Sequence, residues 1–164
     1  MNTDLVLCLF LTFSGLQDLA EGKVSRYVTL AGLAAGLLLR REGMAFGLLA
    51  GLLFFPLFLL RMIGAADVKV IAVTAGFLGP ARGAAALMTG FVLGAVWSLA
   101  RLLHRKILWE RLSYFAAYIR QITMTKKYVP YYRKERDGSR AAIPLAFCLF
   151  AGTAAYLFWE RLNR

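Results

Sequence analysis

The stretch MAFGLLAGLLFFPLFLL, Met44 to Leu60, decides the fold: it contains no charged residue, and Glu42 and Arg61 bracket it. As a helix it would cover about 25 Å, close to the ~30 Å thickness of a hydrocarbon core. Working outward, comparable apolar runs recur. One lies at Leu5 to Leu16, with Asn2 to Leu19 able to serve as the span. Others are Tyr27 to Leu39, Val68 to Leu78, Ala84 to Leu103 and Ile143 to Trp159. The chain is 60% hydrophobic with a mean hydropathy of +0.62, whereas a soluble domain is roughly 45–50% apolar. The expected fold is all-α: a polytopic membrane protein with about six transmembrane helices, forming a single domain over residues 1–164.

The net charge is +11. Eleven of the twenty Lys and Arg residues fall between Arg101 and Arg140, which reads as a basic cytoplasmic loop, about residues 104–140, and not as a nucleic-acid site. With that loop inside, alternation of the spans puts the N-terminus outside. Fifteen basic residues then lie inside, and Arg40, Arg41, Arg82, Arg161 and Arg164 lie outside. Within the loop Leu108, Leu112, Phe115, Ile119 and Ile122 repeat at helical spacing among charged residues. They predict an amphipathic helix on the membrane surface, followed by a polar connection from Lys126 to Arg140. No basic region precedes the first apolar run, so it reads as a retained helix and not as a removed signal.

Glycines at helical spacing, Gly32/Gly36, Gly47/Gly51 and Gly90/Gly94, suit close helix packing. Cys8 and Cys148 lie inside apolar runs without CxxC or Cys/His neighbours, so they read as small buried hydrophobes. The single histidine, His104, reads as a helix-end residue. No metal or cofactor is expected.

Of nine carboxylates, Asp18 and Asp67 edge apolar runs and share the predicted inner face. A carboxylate beside hydrocarbon is costly to keep ionised, which marks it as a functional candidate. Each also has a structural explanation: Asp67 as the N-cap of the fourth run, Asp18 as an interfacial terminator.

The segment Gly64-Ala65-Ala66-Asp67-Val68-Lys69 resembles the GxGD motif of aspartyl intramembrane proteases, in the GxGDxK form of prepilin peptidases (type IV leader peptidases). Asp18 stands at the end of the first helix, as in that family. Val24-Ser25-Arg26 occupies the place of its Ile-Pro-Asn segment. Ala142-Ile143-Pro144-Leu145-Ala146-Phe147 is similar to its proline-containing entry to the last helix. Ala66 replaces the second glycine, and Ser25 and Arg26 replace the Pro and Asn. The chain resembles the short, peptidase-only form found with tight-adherence or related type IV pilus systems. The resemblance implies an aspartic endopeptidase in the bacterial inner membrane, acting on prepilin-like substrates. Asp18 and Asp67 would be catalytic; Gly64, Ala66 and Lys69 would be motif or substrate-positioning residues. The alternative is a non-catalytic membrane protein that binds prepilins for pilus assembly. Sequence assigns no oligomeric state.

Overall fold

The computed structural model describes residues 3–125 and 143–163. Among these it contains helices and no strand: α1 Thr3–Glu21, α2 Arg26–Leu39, α3 Gly43–Leu59, α4 Ala65–His104, α5 Leu108–Thr125 and α6 Leu145–Leu162. The expected connection from Lys126 to Arg140 lies outside the described residues. Three helices, α1, α4 and α6, are long and apolar enough to cross a membrane, and α2 and α3 are shorter apolar helices. The chain is an all-α polytopic membrane protein.

The fourth and fifth apolar runs are the two halves of α4, residues 65–78 and 80–104. Gly79 between them has φ 79° and ψ −175°, a backbone conformation open to glycine and strained for residues with a Cβ. Pro80 follows; it lacks an N–H to leave orphaned, and its fixed φ suits the first position of a helix. The halves fold back on one another. A Cβ built at Gly83 would lie 3.0 Å from Ala75 Cα, whereas eight residues of straight helix span about 12 Å.

The first half of α4 is the centre of the molecule. Val70 to Leu78 are buried without interruption, and this all-round apolarity is the mark of a helix enclosed by others. That explains how so short a run is accommodated. Its neighbours approach through small residues. Cβ atoms built at Gly47 and Gly43 would collide with the Ala72 and Gly76 carbonyls, and one at Gly36 would collide with Met44 Sδ and lie a tight 3.3 Å from the Phe77 ring. The second half of α4 meets α6 in the same way, through Gly90, Leu149 and Gly152. Gly51 and Gly94 keep ordinary contact distances, so only one member of two of the expected glycine pairs is sterically required. α1 packs on α6, and Leu7 and Leu11 join the core formed by Val70, Val73 and Phe77.

At the end of the bundle near the Gly79 turn, Arg82 ties three elements together. Its Nη2 lies 3.2 Å from Asp4 Oδ2 of α1 and 2.7 Å from Glu160 Oε2 of α6. Arg82 and Glu160 are half-buried, so the charges compensate one another where solvation is incomplete. Cys8 and Cys148 are free thiols, and Cys148 is buried.

Candidate active site

Asp18 sits in the last turn of α1, not beyond its end. The helix runs on to Glu21 and stops at Gly22, whose φ of 65° provides the left-handed C′ residue. The Gly22 N–H donates to the Asp18 carbonyl at 2.9 Å. The Asp18 side chain points into the protein and is 7% exposed. Its Oδ2 accepts a hydrogen bond from the Ala146 N–H at 2.8 Å, and the Phe147 N–H also acts on this carboxylate. Both amides belong to the first turn of α6, where backbone N–H groups have no helical partner and the dipole favours an anion. Pro144 precedes that turn as its N-cap. The proline-containing segment noted in the sequence is thus the strand of chain that seats the first aspartate.

Asp67 is not the N-cap of α4; Gly64 is. Asp67 occupies the third helical position, and its Oδ2 accepts the Gly64 N–H at 3.0 Å. This is the carboxylate half of a capping box. A Cβ built at Gly64 would lie 3.0 Å from that same oxygen, so the first glycine of the motif leaves room for the aspartate to fold back. Gly64 has φ −78° and ψ 153°; the requirement is for space and not for an unusual backbone.

Asp18, Gly64 and Asp67 line one cavity of about 1020 Å³. The two carboxylates are near enough to act on each other electrostatically. The wall is otherwise mixed. Phe54 and Phe91 stack at a centroid distance of 5.2 Å on one side. Ile143 and Leu145 come from the α6 entry, and Arg61, Arg101, Arg105 and Arg111 are also on the wall, among further apolar and small residues. Ala66 and Lys69 are not among the lining residues. The cavity therefore brings together three of the five residues singled out in the sequence. It joins them to the α6 entry, which the sequence also singled out, and to arginines that motif reading did not identify. No cluster of three or more His, Cys, Asp or Glu among the described residues is placed to hold a metal ion.

Two helices end at this cavity in matching turns. After α3 the Arg61 N–H donates to the Phe58 carbonyl and the Met62 N–H to the Leu57 carbonyl, both at 2.9 Å. After α4 the Lys106 N–H donates to Leu103 at 3.0 Å and the Ile107 N–H to Leu102 at 3.2 Å. These are Schellman turns, but their left-handed C′ residues are Arg61 (φ 54°) and Lys106 (φ 56°), not glycine. A side chain there costs about 1–2 kcal/mol. A cation at a helix C-terminus returns roughly 0.3–1 kcal/mol of that through the dipole.

No curated protein and no solved structure matches the chain at a significant level. The family model described as the type IV leader peptidase family matches residues 5–99, which include both aspartates, the Gly64–Lys69 segment and all of α2 and α3. With its aspartates on one cavity and more than half of its length matched, the chain belongs to the type IV leader peptidase family.

Proposed function

We propose that the protein is an aspartic endopeptidase of the bacterial inner membrane, which removes the leader from prepilin-like proteins at the cytoplasmic face. Asp18 and Asp67 form its dyad. The observation that supports this reading most is that the two carboxylates, from helices far apart in sequence, line the same cavity. The orientation rests on the charge distribution, which puts the arginine-rich end inside.

Two carboxylates in one poorly solvated site do not both ionise cheaply, so the pair shares a proton. We assign the negative charge to Asp18, because the α6 amides and helix dipole stabilise an anion there. As the base, Asp18 takes a proton from water as that water attacks the scissile carbonyl. Asp67 holds the shared proton, donates a hydrogen bond to the carbonyl oxygen, and later passes a proton to the leaving amine. The apolar wall around Phe54, Phe91 and Leu145 suits the first turn of the substrate's hydrophobic helix, while its basic leader stays on the aqueous side. Lys69 is not on the cavity wall, so we assign it no contact with the reacting atoms.

The test is leader removal in cells producing Asp18→Asn or Asp67→Asn. Asparagine keeps an oxygen to accept from Ala146 or Gly64, so each variant should fold, reach the membrane and leave the substrate unprocessed. Normal processing by either variant would falsify the dyad. Substrate captured but uncut by the unsubstituted protein would favour the binding-only alternative.

A further inference from the structure

Ser14 lies on the buried face of α1 with Gly15 and Asp18. It is fully buried, and its Oγ has no hydrogen-bond partner, a state shared among the described residues only by Thr153 Oγ1. A hydroxyl inside a helix has an easy way out, the carbonyl three or four residues back. Thr12 takes it, donating to the Cys8 carbonyl at 2.7 Å. So do Thr74, to Val70 at 2.8 Å, and Thr29, to Arg26 at 3.0 Å. Ser14 does not. A buried hydroxyl left unpaired costs its full desolvation penalty, so an orphan of this kind points to a further partner.

The neighbour along the helix supplies one. Ser14 stands four residues before Asp18, and side chains at that spacing share a face with Cβ atoms roughly 5–6 Å apart. The tilt of helical side chains toward the N-terminus carries Asp18 toward Ser14. The carboxylate has acceptor capacity to spare. Ionised, it offers about four lone-pair sites, and two α6 amides, those of Ala146 and Phe147, act on it. Ser14 is not on the cavity wall. It meets Asp18 from the core side and leaves the cavity side to substrate.

We propose that Ser14 is a positioning residue for Asp18, acting through one buried water. The Ser14 hydroxyl donates to the water, and the water donates to the Asp18 carboxylate. A buried water needs at least two polar partners, and these two residues provide them. Together with the α6 amides the water holds the carboxylate in one orientation and satisfies its charge, so that the base faces the cavity in a fixed geometry. The catalytic consequence rests on the dyad reading above; the contact between Ser14 and Asp18 does not.

The experiment has a melting arm and a kinetic arm, both on the full chain in nanodiscs. Ser14→Ala should lower the melting temperature by about 2–4 °C. In an Asp18→Ala background that cost should disappear, because the shared water has already lost its acceptor. Ser14→Ala should also lower kcat for leader removal by about tenfold with KM unchanged. Ser14→Thr and Ser14→Val fill the same space, and only threonine keeps the hydroxyl, so the threonine variant should be the faster by about tenfold. Thr153→Val removes the other orphan, seven residues and about 10 Å along α6 from Ala146, and should leave kcat unchanged. Additive melting effects of Ser14 and Asp18, equal rates for the Thr and Val variants, or an equal loss in Thr153→Val each overturn the assignment. Coupled melting in a protein that cleaves no prepilin-like substrate would keep the contact and sink the proposed function. Cleavage that withstands Ser14→Ala would do the reverse.

Discussion

Replacing Gly152 with alanine tests whether the α4–α6 contact sets the geometry of the aspartate site. A Cβ at Gly152 would lie 2.7 Å from the Thr89 carbonyl carbon and would collide with the Gly90 N and Cα. All three atoms are backbone, so no side-chain rotation relieves the overlap. The helices must separate by about 1 Å to regain normal contact, and overpacking of this kind costs roughly 1–3 kcal/mol. Alanine returns up to about 1 kcal/mol through its helix propensity, leaving a net loss of about 2 kcal/mol where the overlap is with backbone. The displacement also reaches function. Ala146, which holds Asp18, lies about 9 Å along the same helix, and a catalytic group misplaced by ~1 Å can lose about 100-fold in rate. Gly51→Ala is the control: its new Cβ would meet Ala72 Cβ at 3.4 Å and Val68 Cγ1 at 3.9 Å, ordinary contacts, so stability should hold or rise. Thermal unfolding in detergent should rank Gly51→Ala at or above the unsubstituted protein and Gly152→Ala several degrees below it. A Gly152→Ala protein with unchanged melting temperature and cleavage rate would refute the packing argument.

Three further predictions follow from local geometry. Arg82→Ala leaves Asp4 and the half-buried Glu160 without their shared cation; with solvent exposure discounted, unfolding should become easier by about 1–2 kcal/mol, measured by melting in detergent. Asp67→Asn and Asp67→Ala should both be inactive, but only alanine loses the bond to the Gly64 N–H. It should therefore be the less stable of the two by about 0.5–2 kcal/mol; equal melting temperatures would show that the cap contributes nothing. Gly22→Ala forces a side chain into φ 65° and should cost about 1 kcal/mol, while Gly22→Asn should cost less because asparagine tolerates that conformation.

The apolar segments were legible because a run of uncharged residues has one low-energy solution in a bilayer, a helix whose length the run sets. The six runs correspond to α1, α2, α3, the two halves of α4, and α6, and the repeat of Leu112, Phe115 and Ile119 corresponds to α5. Two boundaries were shifted by punctuation present in the sequence. Gly22 marks the end of α1 beyond Asp18, and the Gly64 to Asp67 spacing places the N-cap at the glycine with the aspartate at the third position. What sequence alone could not show is the partner of Asp18. The Ala146 N–H lies 128 residues away, and since nearly every residue has an N–H, nothing in the side chain at 146 announces the bond. The Arg82 cluster was hidden in part. Asp4, Arg82 and Glu160 were expected on one face, but their contact depends on α1 and α6 packing antiparallel beside the Gly79 turn. The arginines of the cavity read as topology signals in the sequence, and only the fold gathers them around the aspartates.

The proposed dyad has one direct consequence: Asp18 and Asp67 together cleave a peptide bond. The direct measurement is to incubate the purified protein, alone in nanodiscs, with a purified prepilin-like substrate, and to follow the product by mass spectrometry. A single cut that releases the leader is expected, absent with Asp18→Asn and absent with Asp67→Asn. Substrate left intact by the unsubstituted protein, or the same cut made by either asparagine variant, would contradict it.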